Sequence, residues 1–268
     1  MIYSHSRLST FETCPLQYKF AYIDNIERVG QSIEAFLGSR FHEVMHKFYE
    51  NLHDRAYSLD ELISYYVSQW NREYNPKITI VNKRRSAEEY MDIGRRCIRS
   101  YYRRHYPFTG VKVLELERTV MIKLDDEGRY MMRGVLDRLD RARDGTYEIH
   151  DYKTSGRLPT QEFLDEDRQL ALYQIGVAAL WNDVKKVRLI WHYVVFDREM
   201  SSSRSGEQLE ELKKKMITLI DTIESAKEFL PRKSRLCSWC SYQDICPKCT
   251  QAGKIYQSEN LLKNPSKL

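Results

Sequence analysis

Three residues in two neighbouring stretches carry charge where a sheet would ordinarily bury apolar groups. The stretches are Met132-Arg-Gly-Val-Leu-Asp-Arg-Leu-Asp140 and Glu148-Ile-His-Asp-Tyr-Lys-Thr154. Side chains alternate along a strand, so Ile149, Asp151 and Lys153 share one face while Glu148, His150 and Tyr152 share the other. Arg143-Asp-Gly145 reads as a turn, and a hairpin centred on Asp144 puts Asp137 opposite Asp151. Directly opposed residues have Cβ atoms ~5 Å apart, where two carboxylates repel. A divalent cation relieves that repulsion, and Mg²⁺ or Mn²⁺ suits carboxylates, waters and a substrate phosphate. Lys153, two residues beyond Asp151, reaches anything such an ion holds. It can orient or deprotonate a water, or neutralise charge on a phosphorane. Asp137, Asp151 and Lys153 therefore form a candidate phosphodiesterase site. The alternative for these residues is a surface hairpin laced by ion pairs that include Arg138.

These groups need a scaffold, and the flanking sequence predicts one. Ser6 or Ser9 can cap a first helix, with capping-box spacing from Ser9 to Glu12, and Pro15 interrupts its stripe at Cys14. Helical spacing of Ile33, Leu37, Phe41, Val44, Met45 and Phe48 marks a helix over 32–52, and further helices are expected over 59–74 and 87–106. The pattern then becomes that of an antiparallel meander: a strand from Val111 to Leu124, a turn at 125–128, a strand over 130–139, a second turn and the Asp151 strand. A helix over 160–181, a strand over 187–195 and an amphipathic helix over 206–229 follow. With no internal repeat and no low-complexity linker, the expectation is one α/β unit around a central sheet.

Composition narrows the class. The chain has 268 residues, 42% of them hydrophobic, enough for a real core. Its net charge of +5 permits a nucleic-acid partner without requiring one. No leader-like segment opens the chain, and the longest apolar run, 170–181, contains Gln174 and is too short to span a bilayer. A soluble, cytoplasmic protein with no membrane partner is expected. Six cysteines in such a protein point to metal binding or isolated thiols before disulfides. Cys97 falls on a helical apolar stripe and reads as core.

The tail, Cys237-x2-Cys240-x5-Cys246-x2-Cys249, has two readings. All four thiolates can grip one Zn²⁺, although the gap between pairs is far shorter than the ~15 to 20 residues of zinc ribbons. Alternatively, Cys237, Cys240 and Cys246 act with the distant Cys14.

Taken together, the motifs resemble the RecB-like branch of the PD-(D/E)XK nucleases. Gly38-Ser-Arg-Phe-His42 is similar to that family's helical Gly-x-x-x-His element, Asp137 and Asp151-Tyr-Lys153 to its Asp and Asp-x-Lys motifs, and Gln169-x-x-x-Tyr173 to its Gln-x-x-x-Tyr motif. The resemblance implies a restriction-endonuclease-like mixed sheet flanked by helices, with a helical N-terminal cap and a cysteine-rich C-terminal segment. It implies that His42, Asp137, Asp151 and the carbonyl of Tyr152 bind Mg²⁺ or Mn²⁺. Lys153 would activate water, and Gln169 and Tyr173 would position the DNA strand. His46, one turn beyond His42, is an equal candidate on spacing alone. Glu115, Glu117 and Glu148 are acids without an assigned place.

Within that branch the N-terminal Ser6-to-Phe20 element and the tail are similar to iron–sulfur nucleases, the AddB-type helicase-nuclease subunits and CRISPR-associated RecB-like exonucleases. The resemblance implies a structural [4Fe-4S] cluster on Cys14, Cys237, Cys240 and Cys246, with Cys249 left over. One nuclease domain would then span 1–268, with 1–30 and 230–250 forming the cluster-bearing part. The implied partners are DNA, single-stranded or end-containing, and proteins of a helicase, recombination or CRISPR adaptation system. Arg138, with Arg95, Arg96, Arg103 and Arg104, is expected to line the DNA path.

Overall fold

The computed structural model describes residues 1–28, 30–110 and 112–249. Val111, which opens the first predicted strand, lies outside the described residues, as do Val29 and Thr250 of the predicted cluster-bearing segments. The chain divides into two units, Met1–His5 with Ser32–Ile217, and Ser6–Gln31 with the residues from Thr218 onward.

In the first unit, helix after helix begins where a serine can cap it. Ser32 accepts a hydrogen bond from Ala35 N–H to start α3 (Ile33–Glu50), and Ser58 and Ser86 form full capping boxes with Glu61 and Glu89 for α4 (Leu59–Glu73) and α5 (Ala87–His105). Helix α5 stops where Tyr106 turns extended before Pro107, as the residue preceding a proline tends to do. The apolar faces of the three helices share one core, in which Phe41, Phe48, Tyr66 and Ile98 are buried.

The meander follows as predicted: β4 (Val113–Lys123), β5 (Met131–Arg141) and β6 (Tyr147–Lys153) pair antiparallel. A helical crossover then returns the chain to β7 (Val187–Tyr193), parallel to β6, and β8 (Arg198–Ser202) closes that edge antiparallel to β7. Strand β1 (Ile2–Tyr3) adds parallel to β5, so the sheet runs β1-β5-β6-β7-β8 with β4 also on β5. Strands β2 (Gln31–Ser32) and β3 (Ile78–Thr79) are two-residue pieces outside this sheet. The fold is thus a mixed α/β sheet flanked by helices, with β6 central and buried along most of its length.

The crossover is two helices rather than the single one expected over 160–181. Helix α6 (Gln161–Glu166) ends at Asp167, whose backbone is extended and whose Oδ1 accepts the Gln169 N–H at 2.9 Å, and α7 (Gln169–Leu180) begins there. A short acid that bonds the backbone two residues ahead competes with helical continuation. The strand expected to reach residue 195 gives way after Tyr193 to a 3₁₀ turn.

In the second unit, α1 (His5–Thr13) starts before either predicted cap, which leaves Ser6 and Ser9 inside the helix. Cys14 is the N-cap of α2 (Pro15–Tyr22), with extended φ of −157°, so the helical break expected there is present. Helix α8 (Gly206–Ser225), which contains the unit boundary, ends four residues before the expected Phe229. Leu16, Phe20 and Tyr242 form the small core of this unit, with Cys14, Cys240, Ile245 and Cys246 packed on it.

Candidate active site on strands β5 and β6

The observed β5–β6 register pairs Arg138 with His150, Leu139 with Ile149, Asp140 with Glu148 and Arg141 with Tyr147. Each pair is centred on Asp144, so continuing the register sets Asp137 opposite Asp151, as the turn predicts. There the backbone ladder ends and a side chain takes over: the Tyr152 N–H donates to Asp137 Oδ2 at 2.8 Å. On the other side of β5, the pairs Leu116–Arg138 and Arg118–Leu136 bracket Glu117, which faces Asp137. Glu117 has φ of +47°, a conformation that costs a residue with a Cβ on the order of 1 kcal/mol or more and that clusters at functional sites. Three acids are therefore brought together by three adjacent strands.

Helix α3 delivers the histidine. His42 Nε2 donates to the Tyr152 carbonyl at 2.9 Å, and its Nδ1 lies 3.5 Å from Asp137 Oδ2. His42, Glu117 and Asp137 each place one ligand atom within 4.8 Å of the others. Gly38, one turn earlier, explains part of the motif: a Cβ there would stand 3.1 Å from Thr154 Oγ1, so its absence lets α3 approach the end of β6. His46, the equal candidate on spacing, lies 4.0 Å from Glu50, and its influence on the site is a long-range one on Glu117.

Helix α7 closes the site. Lys153 Nζ sits 2.6 Å from Asp151 Oδ2 and donates to Gln169 Oε1 at 2.9 Å. Gln169 Nε2 in turn donates to Asp151 Oδ1 at 3.0 Å and to the Tyr173 hydroxyl at 3.2 Å. One amide thus fixes both members of the Asp-x-Lys motif and the tyrosine one turn along α7. Gly134 makes room for that tyrosine, because a Cβ there would lie 2.3 Å from the Tyr173 ring.

The electrostatics are those of a site short of positive charge. Desolvation raises the buried Asp151 carboxyl to about 6; Lys153 and His42 work against the rise, and Asp137 adds to it. Burial opposes the charged form of His42, yet the hydrogen bond and charge of Asp137, then the charge of Asp151, carry it up to about 9. Burial also opposes the charge on Lys153, but Asp151 raises it further, so Lys153 is an ammonium at neutral pH. The Glu117 carboxyl is raised by desolvation and then by Asp137. Carboxylates, a main-chain carbonyl and one imidazole are the donor set that Mg²⁺ and Mn²⁺ accept, and the residues present fit such an ion.

The other face of the same strands corrects one expectation. Arg138 does not line a DNA path: it is 3% exposed, donates to the Tyr101 and Tyr152 hydroxyls at 2.9 and 2.7 Å, and pairs with Asp140 at 3.1 Å. Strand alternation sends it to the side opposite Asp137. Glu148 belongs to that side too: its hydrogen bond with His150 first and Arg188 next hold its carboxyl down to about 2 against desolvation. Of the α5 arginines, Arg95 pairs with Asp92 and Arg104 with Asp197. Tyr101 of that helix packs on the Tyr152 and His192 rings, away from Lys153. Burial lowers His192 well below the imidazole range and His105 to about 4.

In the second unit, Cys14, Cys237, Cys240, Cys246 and Cys249 line one cavity. The backbone N–H of Arg232 donates to Cys14 Sγ and that of Ser234 to Cys237 Sγ, both at 3.4 Å. Burial raises the Cys240 thiol, and Cys14, Cys246 and Cys237 add to the shift. Cys249, not assigned from sequence, belongs to the same group: burial and the Cys246 hydrogen bond push it up to about 11. Cys97 is buried, as expected of a core thiol, and its desolvation pushes it up to about 12.

Among the described residues no helix is long and apolar enough to cross a membrane. A search of curated proteins returns no significant match. Among solved structures, the one described as "Crystal structure of SSO0001" is 16% identical, with 72% of this chain and 97% of that chain covered and a TM-score of 0.31. The model of the PD-(D/E)XK nuclease superfamily matches residues 2–247, nearly the whole chain, and the chain belongs to that superfamily.

Proposed function

We propose that the chain is a divalent-metal-dependent deoxyribonuclease of the RecB-like branch that degrades single-stranded DNA from an end and carries a structural iron–sulfur cluster. Superfamily membership already suggests a nuclease with DNA as substrate and Mg²⁺ or Mn²⁺ as cofactor. The observation that supports the metal-dependent chemistry in this reading is the convergence of His42, Asp137, the Tyr152 carbonyl, Asp151, Lys153 and Gln169, while the preference for single-stranded ends follows from the motif resemblance.

His42, Asp137, Asp151 and the Tyr152 carbonyl would hold the ion, with Glu117 as a further acid beside them. The bound ion would polarise a phosphoryl oxygen and acidify a water. Lys153, protonated and fixed by Asp151 and Gln169, is suited to orienting water and stabilising charge on the transferring phosphorus rather than to taking a proton. Gln169 acts through Asp151 and Lys153, as well as toward a strand, and Tyr173 is held by Gln169 beside them.

The cluster assignment rests on the donor set. Soft thiolates from the two ends of the chain line one cavity, and such ligands suit iron–sulfur or zinc chemistry. Cys14, Cys237, Cys240 and Cys246 are the proposed ligands, within a part formed by residues 1–30 and 230–250. It would act beside helicase, recombination or CRISPR adaptation proteins.

The test is cleavage of end-labelled single-stranded DNA by anaerobically purified protein with Mn²⁺, Mg²⁺ or EDTA, beside Asp151→Ala, with iron measured in both samples. Metal-dependent shortening from one end, lost in the variant, is expected from brown, iron-containing protein. Binding without cleavage would replace the enzyme with a DNA-binding subunit, and colourless zinc-containing protein would replace the cluster with a zinc site.

A further inference from the structure

The back face of the sheet holds a second convergence of Lewis bases, which the proposed chemistry does not use. His105 ends α5, His192 lies on β7 and Glu199 on β8. Each contributes one ligand atom, and the three atoms lie within 4.8 Å of one another. Glu199 Oε2 is 3.6 Å from His192 Nδ1 and 3.9 Å from His105 Nε2.

Hydrogen bonding behind this cluster sets the tautomer of His192. A guanidinium only donates, so His150 Nδ1, 2.9 Å from Arg138, is an acceptor. His192 Nε2 lies 2.9 Å from that same nitrogen and must therefore donate to it. In the uncharged ring this leaves His192 Nδ1 as a lone pair facing a carboxylate oxygen. His105 Nε2 is buried and makes no hydrogen bond among the described residues. The His192 lone pair and the Glu199 carboxylate repel, and a cation between them reverses the sign, with His105 Nε2 near enough to join it.

The neighbouring cations have other partners. Arg104 is bound by the carboxylate and carbonyl of Asp197, and Arg138 by Asp140. Arg198 lines the same shallow depression, but it precedes Glu199 on a strand, where successive side chains point to opposite faces.

We infer that His105, His192 and Glu199 form a second divalent-metal site, of the zinc class, that pins the end of α5 to β7 and β8. Zinc–ligand lengths of about 2.0–2.2 Å at a tetrahedral centre place ligand atoms roughly 3.3–3.6 Å apart, so the 3.6 and 3.9 Å separations from Glu199 need only small side-chain movements. Two imidazoles and one carboxylate suit zinc better than magnesium. The bond from His192 Nε2 to His150 is the kind of outer hydrogen bond that orients a ligating histidine. The fourth position opens to the depression and takes water. Since His192 is the register partner of Tyr152, the ion braces the strand that carries Asp151 and Lys153 from behind.

The test is equilibrium dialysis of the full chain against buffered Zn²⁺, with bound zinc measured by elemental analysis in wild type, His105→Ala, Glu199→Gln and Cys237→Ser. Glu199 is exposed and His105 only partly buried, so Glu199→Gln supplies the answer if His105→Ala folds poorly. Each of these two variants is expected to bind one equivalent less than wild type and to lose part of the thermal stabilisation that zinc confers, while Cys237→Ser keeps that equivalent. Equal zinc in wild type and Glu199→Gln would overturn the site and leave an imidazolium–carboxylate ion pair in its place. Zinc lost only in Cys237→Ser would assign all of it to the cysteines and overturn the site equally.

Discussion

Strands β5 and β6 present two charged faces built from alternate residues of the same short segments, and the faces solve opposite electrostatic problems. On one, Asp137, Asp151 and Glu117 gather beside His42 and Lys153, and burial raises Asp151 to about 6. On the other, Arg138 pairs with Asp140, and Glu148, held by its hydrogen bonds with His150 and Arg188, falls to about 2. Tyr49 lies under the Arg138 guanidinium at 3.9 Å, and Tyr101 and Tyr152 take its remaining donors. The back face pairs its charges within the chain, whereas the front face keeps an excess of carboxylates. Buried charge alone is therefore no sign of catalysis; an excess of one sign, open to a ligand, is the informative feature.

The sharpest way to break this comparison is to damage the balanced face. Arg138→Met strands Asp140 and His150 without their cation, and removing one partner of a buried pair costs about 3–5 kcal/mol. Chemical denaturation should show that loss, while any molecules still folded keep an intact front face. Unchanged stability would mean that the back-face network is not structural. Lys153→Ala acts on the other side: cleavage should fall on the order of 10²–10³-fold, the usual effect of deleting one transition-state donor, and the denaturation midpoint should fall by less than in Arg138→Met, because Asp151 loses its cation but can take up a proton instead. Retained turnover would remove Lys153 from the chemistry.

The smallest effect expected is in the pH dependence of the metal-free protein. His42 is raised to about 9, so the folded state holds its proton more tightly than the unfolded chain does. Its contribution to stability is full below about 6.5 and is lost as pH rises toward 9. In EDTA the melting temperature should decline across that window. In Mn²⁺ the decline should flatten, because ligation requires the unprotonated imidazole and tightens with pH. A flat EDTA profile, or one unaltered by His42→Ala, would contradict this assignment.

Much of the front face was legible because its determinants are local. The Arg143-Asp-Gly145 turn fixed the register, and strand alternation placed Asp151 and Lys153 together, which the observed pairing continues. The motif separated His42 from His46, and the structure supplies a reason in Gly38, whose missing Cβ admits the end of β6. Glu117 was one of three unplaced acids because its selection depends on a left-handed backbone opposite Asp137. Arg138 was misjudged because a charged residue beside a candidate metal ligand carries no label for the face it occupies until the helices covering each face are known. The break between α6 and α7 was missed because the Asp167 cap competes with an otherwise continuous helical pattern.

What the sequence determined by itself was the set of short-range facts: capped helices, a turn-defined hairpin, and an Asp-x-Lys motif whose spacing forces both groups onto one face. What only the tertiary structure decided was neutralisation. Whether a buried charge is matched within the chain, as Arg138 is by Asp140, or also faces a like charge, as Asp151 faces Asp137 despite its pair with Lys153, depends on residues brought from distant elements. Coulomb energies are set by those separations and by burial, which no local pattern encodes.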